Sequence, residues 1–279
     1  MTPFTAVQAH AGGSLSERVL LAFSRDPAGP DLPGGQPTWN EENALDLLRR
    51  EFPEFDRRIA GRAVLDVGCG LGWQTVSMAR AGAAFVLGID PHEDGLREAR
   101  TLPKRLHMSA DRLQFASALP QDRIGRFDVA VSQNSFEHFG DPEDVLRQMA
   151  SAVRPGGVLL ITFGPPWLAP YGAHMFFFTS VPWVNLVFSE RAVMRVRSRF
   201  RADAAERYED VEGGLNKMTV ARFEGLVRQC DLRLEWKRYR CVKGANVLAR
   251  VPGVRELFIN HVSCVLRKPP QGDGDQEAL

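Results

Sequence analysis

The rhythm of apolar positions changes twice along the chain. From Asn40, NEENALDLLRREF places Ala44, Leu45, Leu47 and Leu48 behind an acidic first turn, the pattern of a capped helix that packs on a core. Beyond it short apolar runs alternate with helical ones. Strands are predicted at 63–67 (AVLDV), 85–89 (FVLGI), 113–115 (LQF), 127–132 (FDVAVS) and 158–163 (VLLITF), with helices from Trp73 to Ala81, near 93–100 and over 143–153. Such alternation builds a parallel sheet with helices on both faces. The helix at 143–153 is the best marked: Asp141 suits its N-cap, Pro142 its first position, and RPGG ends it.

At 164–216 the alternation stops and the chain becomes rich in aromatics and proline. Regular pattern returns with a helix at 219–230 (TVARFEGLVRQC) and strands at 232–239 (LRLEWKRY) and 261–267 (HVSCVLR). Upstream, weak helical patterning gives way to RDPAGPDLPGGQPTW (25–39), whose proline, glycine and aspartate content predicts a loop. The domain reading is therefore an N-terminal extension and loop (1–39), one domain (40–268) with an insertion at 164–216, and a disordered tail (269–279).

Composition narrows the class of function. With 279 residues, 44% hydrophobic and 25% charged, the chain has ordinary globular proportions, and a net charge of +1 supplies no field for nucleic acid. Cys69, Cys230, Cys241 and Cys264 show no CxxC spacing, so no metal site is predicted and a reducing cytoplasm fits best. The start MTPFTAVQAHAGG lacks a basic region followed by an apolar run, and no stretch has the length of a membrane span.

The chemistry concentrates where the first strand ends. Gly68, Gly70 and Gly72 follow it directly and precede a helix, which places backbone N–H groups at the sheet edge where open α/β folds bind ligands. Their spacing is GxGxG, one residue short of the dinucleotide GxGxxG, and such a turn also serves simply to pack a helix against a strand. Asp66 brings a carboxylate toward the turn, suited to an ammonium and repellent to a pyrophosphate. Asp90 ends the second strand, where a carboxylate can accept two ribose hydroxyls. The pocket thus wants a ribose and a cation, with no obligatory phosphate.

In order and spacing, VLDVGCGLG, GID, FDVAVSQNSFEH, DPEDVLRQMASAVRPGG and LLITF resemble the class I S-adenosylmethionine-dependent methyltransferases, particularly the small-molecule, type 11-like branch; the likeness covers roughly residues 40–163. The resemblance implies a Rossmann-like, seven-stranded, mostly parallel sheet with helices on both faces, completed by the helix at 219–230 and the last two strands, plus an aromatic-rich lid at 164–216. It implies S-adenosyl-L-methionine as cofactor, held at its methionine end by Asp66, Gly68, Cys69, Gly70 and Gly72 and at its ribose by Asp90, with Pro91 or His92 beside the adenine. FASALP (115–120) stands where the family commonly has an adenine-binding Asp; Ser117 or the backbone of Ala118 and Leu119 would substitute. Gln133 and Asn134 would face the methionine and methyl group.

Methyl transfer to oxygen needs a positioned nucleophile and a route for its proton, for which histidine is the natural base. His174, amid Trp167, Tyr171 and Phe176, is the first candidate, with burial against those rings as the competing reading; Tyr171 would orient the acceptor. His138, in the EH pair, reads more as a support than as a reactant. The aromatics of 164–216 suit an aromatic or lipid-like acceptor or else anchor the insertion. RAVMRVRSRFR (191–201) aligns Arg191, Arg195 and Arg199 on a stripe that reads first as a solvated face, and second as a contact for a carrier-linked acceptor or an anionic membrane surface. The expected partner is a small, hydroxylated organic molecule, an aromatic, glycosyl or lipid-like compound methylated on oxygen. The alternatives are a non-catalytic S-adenosylmethionine-binding regulator, kept open by the missing adenine-side Asp, and an NAD-dependent oxidoreductase, disfavoured by the glycine spacing. SQNSF in place of an Asn-Pro-Pro-aromatic motif argues against methylation of nucleic-acid bases.

Overall fold

The computed structural model describes residues 13–25, 40 and 42–270; the loop expected over 25–39 lies outside them except for Arg25, and the tail expected over 269–279 except for its first two residues. Among the described residues three helices, α1 (Leu15–Ala22), α2 (Asp46–Glu51) and α3 (Phe55–Ile59), precede the sheet. There follow β1 (Ala63–Val67), α4 (Trp73–Arg80), β2 (Phe85–Ile89), α5 (Glu93–Ala99), α6 (Leu102–Arg105), β3 (Leu113–Ala116), β4 (Phe127–Gln133), α7 (Pro142–Ala152) and β5 (Val153–Phe163). The remainder is α8 (Val184–Val187), α9 (Glu190–Arg197), α10 (Val220–Gln229), β6 (Arg233–Cys241), α11 (Arg255–Phe258) and β7 (Ile259–Arg267).

The seven strands run in the order β3-β2-β1-β4-β5-β7-β6. All pairings from β3 to β5 are parallel, and β7 is antiparallel to both its neighbours. Strand order reverses between β1 and β4, and the crevice beyond their carboxyl ends is where an open sheet receives a ligand. Alternate side chains divide two cores. Val64, Val86, Val129, Val131 and Leu160 pack under α2, α3 and α4 through Leu48, Phe52, Ile59 and Met78; Leu65, Leu87, Ala130, Leu159 and Ile161 face α7 and α10 through Leu146, Met149, Phe223 and Leu226.

Two expectations shift. The capped helix expected from Asn40 is shorter: Asn40 Oδ1 accepts from the N–H groups of Glu42 and Asn43 in a turn, and α2 begins only at Asp46, with no side-chain cap at Leu45. The RPGG run does not close off α7. That helix ends at Ala152, and Arg154 to Gly157 form an irregularity inside β5, which therefore starts at Val153 rather than 158. Its backbone is claimed from two sides: Gly156 N–H donates to the Lys268 carbonyl, Lys268 N–H donates to Gly157, and Arg154 pairs with Asp128 at 2.7 Å.

Residues 164–216 gather around a third cluster of their own. Met175, Phe178, Val184, Val193, Met194 and Tyr208 enclose it, with Leu20 of α1 inserted. Trp167 meets Tyr208 edge-on with centroids 4.7 Å apart, and Phe178 stacks on Phe200 at 5.3 Å. Arg197 is 4% exposed, donates to both oxygens of Asp203 at 2.6 and 2.5 Å, and lies over the Phe177 ring. Arg191, Arg195 and Arg199 are exposed, and Arg195 reaches Glu17 of α1 at 3.1 Å. Among the described residues no helix is long and apolar enough to cross a membrane.

Candidate functional site

The glycine turn joins β1 to α4 at the switch point, fastened to β2 by the N–H groups of Gly68 and Cys69, which both donate to the Ile89 carbonyl. Asp90, 7% exposed, completes the fastening: Oδ2 accepts from Gly70 N–H and Oδ1 from His92 N–H, each at 2.9 Å. What lies against the three glycines differs. A Cβ on Gly72 would come within 2.8 Å of the Phe115 ring and Ala99, and one on Gly68 within 2.6 Å of Ser135 Oγ, so these two permit close packing. Gly70, with φ +49°, faces open space, a cradle in which backbone can touch a ligand.

Asp66 lies behind that loop with no solvent exposure. Thr75 Oγ1 and Gln74 Nε2, both from α4, donate to its two oxygens at 2.7 Å. Burial pushes the carboxyl up to about 6, against the pull of those two hydrogen bonds and with a smaller push from Asp90. A carboxylate so desolvated gains more from a cationic partner than one in water.

Beside the loop a cavity of about 260 Å³ collects residues expected at the adenosine: Gly68, Asp90, Pro91, Ser117, Ala118 and Leu119. Its other wall had not been expected. Phe139 follows the EH pair, and Val145, Gln148 and Met149 come from α7. Val145 and Met149 stand one helical turn apart on the apolar stripe of α7, and nothing in a stripe separates a residue facing a cavity from one facing a core.

At the end of β4, Asn134 takes φ +50°, donates its N–H to the Thr162 carbonyl at 2.8 Å and accepts the Thr162 hydroxyl at 3.3 Å. Gln133 Oε1 is buried with no hydrogen-bond partner among the described residues. Glu137, buried and pushed up by that burial, accepts Gly164 N–H at 2.9 Å; His138 Nδ1 donates to the Gly214 carbonyl at 2.6 Å. The EH pair thus ties down both ends of the 164–216 segment. His174 packs edge-on against His138 with centroids 5.4 Å apart, and its Nε2 lies 3.4 Å from the Pro165 carbonyl. Burial first, then the charge of His138, pushes its imidazole down to about 4. Tyr171 lies against Phe176, centroids 3.9 Å apart, so the structure pairs Tyr171 with Phe176 and the two histidines with each other.

A family model described as a methyltransferase domain matches residues 38–234. With an uncharacterized methyltransferase of Mycolicibacterium gilvum (strain PYR-GCK) the chain shares 30% identity over 266 residues, 91% of this chain and 94% of that one. A ubiquinone biosynthesis O-methyltransferase of Neisseria meningitidis serogroup C (strain 053442) is 38% identical over 122 residues, 42% of this chain and 50% of that one. The chain spans about half the length of the ubiquinone biosynthesis relatives it matches. In solved structures, an S-adenosylmethionine dependent methyltransferase from Mesorhizobium loti has a TM-score of 0.51 at 20% identity, covering 80% of this chain and 97% of that chain. Magnesium protoporphyrin IX methyltransferase from Synechocystis PCC 6803 with bound SAH has a TM-score of 0.50 at 14% identity, covering 85% and 90%. At such identities these two likenesses describe the fold alone.

Proposed function

This chain belongs to the class I S-adenosylmethionine-dependent methyltransferases, and we propose from that premise that it methylates a hydroxyl oxygen of a small organic acceptor. One observation carries the reading: at the switch point a single carboxylate, Asp90, is hydrogen-bonded to the glycine turn beside a cavity whose walls are mostly apolar. A ribose placed against Asp90 directs its base into that cavity, between Pro91 and Leu119, with Ser117 and the Ala118 backbone as polar contacts. The methionine end lies along Gly70, its ammonium toward Asp66. No diphosphate suits a turn with a buried carboxylate behind it. When bound, the cofactor supplies a methyl group on a positively charged sulfur.

The chain's own residues then have positioning to do. Gln133 and Asn134 border the methyl position, and 164–216 covers the acceptor side as a lid braced by Glu137 at Gly164 and by His138 at Gly214. His174, its Nε2 directed at Pro165 and its ring against His138, serves that brace. Hydroxylated aromatics are the favoured acceptors, supported by the 38% identical relative named for ubiquinone biosynthesis O-methylation.

Calorimetric titration with S-adenosylhomocysteine and with NAD tests the cofactor, and isotope transfer from methyl-labelled S-adenosylmethionine to panels of phenols, glycosides and hydroxylated lipids tests the acceptor. Binding of the first ligand but not the second, abolished in Asp90→Ala, is expected. Binding without transfer to any panel member would make the chain a cofactor-binding regulator, and absence of binding would end the proposal.

A further inference from the structure

The helix α1, which closes one side of the 164–216 segment, leaves large apolar side chains open to solvent. Its inner side is well used: Leu20, fully buried, enters the cluster of Met175, Phe178 and Tyr208, and the buried Glu17 meets Arg195 of α9 at 3.1 Å. Its outer side carries Leu15, Val19 and Phe23, of which Leu15 is 75% and Phe23 65% exposed. Spaced four apart, the three fall on one stripe that runs from the first residue of α1 to its C-cap. Single exposed apolar residues are ordinary, but three on one stripe call for an occupant. The stripe is also held firmly. Ser14 caps α1 by accepting the Glu17 N–H, Thr179 Oγ1 donates to the Phe23 carbonyl at 3.1 Å, and Arg25 N–H donates to the Phe178 carbonyl at 2.7 Å. α9 packs against α1 and also against α8, which adds the exposed Leu186 and Val187.

Charge around the stripe has one dominant sign. Residues 13–25 and 184–201 contain seven arginines against two acidic residues, Glu17 and Glu190, in a chain whose net charge is +1. Both carboxylates are engaged, Glu17 by Arg195 and Glu190 by Lys217 at 3.3 Å. Arg18, Arg191 and Arg199 are exposed and form no ion pair among the described residues. A local cationic excess beside an apolar stripe complements a surface that is anionic in its outer layer and apolar just beneath, which is a bilayer with anionic headgroups. Nucleic acid would offer the charge without the apolar layer.

We propose that this face docks the protein on an anionic membrane surface, the side chains of Leu15, Val19 and Phe23 entering between the headgroups while Arg18, Arg191 and Arg199 pair with lipid phosphates. The attachment is peripheral, since an eight-residue helix in the headgroup layer spans nothing. Because Leu20 and the Phe23 carbonyl tie α1 to the 164–216 segment, docking seats that segment near the bilayer. On the methyl-transfer reading, a lipid-dissolved acceptor arrives from that side.

Flotation of the full chain with vesicles of equimolar phosphatidylglycerol and phosphatidylcholine, and with phosphatidylcholine alone, tests the docking. The protein is expected to float with the mixed vesicles and not with the neutral ones, and to be released as salt rises, because the attraction is screened over about 10 Å at 0.1 M. Arg191→Ala combined with Arg199→Ala, both at exposed positions, should weaken binding about tenfold. Leu15→Ser combined with Phe23→Ser should weaken it about as much. Both pairs should keep the circular dichroism of the wild type and its affinity for S-adenosylhomocysteine. If the mixed vesicles carry no protein, or if either pair, with unchanged circular dichroism, floats as the wild type does, the proposal is overturned. A dimer that sedimentation detects in the wild type and the serine pair abolishes would overturn it in favour of a second copy on the stripe. A lowered unfolding midpoint in the serine pair, with vesicle binding intact, would overturn it in favour of the chain's own residues 26–39. Failure of the wild-type chain to bind S-adenosylhomocysteine would overturn the methyltransferase reading and leave the docking standing.

Discussion

Asp66 shows how burial tunes one residue. Its carboxyl, ordinarily near 3.9, is raised to about 6 in the folded chain. The folded state therefore binds the extra proton more tightly, and the stability this group contributes falls as pH rises from about 4 through 6, then stays level. A bound ammonium reverses the preference. Affinity for S-adenosylhomocysteine should rise between about pH 5 and 7 and then level off. Asp66→Asn should flatten that slope and weaken binding by tenfold or more at pH 7, read by calorimetry across the range. The glycines separate in the same experiment. Gly70→Ala should cost about 1–2 kcal/mol for its left-handed backbone and lose affinity because a methyl occupies the open cradle. Gly72→Ala, driven into Phe115, should lower the unfolding midpoint more. Residue type and position announced Asp90, and the family resemblance pointed to Pro91, Ser117, Ala118 and Leu119, all of which line the cavity. Phe139, Val145 and Met149 could not be read that way, because their apolar side chains also satisfy a core.

Elements follow from their caps and stripes. Asp141 Oδ1 accepts the Asp144 N–H at 3.0 Å and Pro142 opens α7, so Asp141→Ala should cost about 1 kcal/mol in urea unfolding. Leu146, fully buried between α7 and the sheet, should cost 2 kcal/mol or more when cut to alanine, at roughly unchanged m-value. Periodicity located every strand of the sheet to within a few residues. It misjudged RPGG because a Pro-Gly-Gly run carries the same local signal in a helix stop as in a strand irregularity. The pairing with Lys268, more than a hundred residues away, decided between them.

At the scale of the whole molecule, the sheet and the 164–216 segment have separate cores, joined through the EH pair. Arg197→Met would remove the bidentate partner of Asp203, and because Asp203 is one-third exposed the loss should be about 1–2 kcal/mol. Hydrogen exchange should quicken in α9 and its surroundings while S-adenosylhomocysteine affinity holds. A loss of affinity would mean that the segment shapes the cofactor site itself. The succession of strands and helices along the chain, the glycine turn and the carboxylate at the tip of β2 were determined by sequence, because alternation, capping and turn chemistry act between near neighbours in the chain. Which glycine opens to a ligand, which face of α7 lines the cavity, and the meeting of Glu51, Arg240 and Ser263 under α2 were decided only by the tertiary structure. These depend on strand register and helix docking between segments up to two hundred residues apart, which no local pattern encodes.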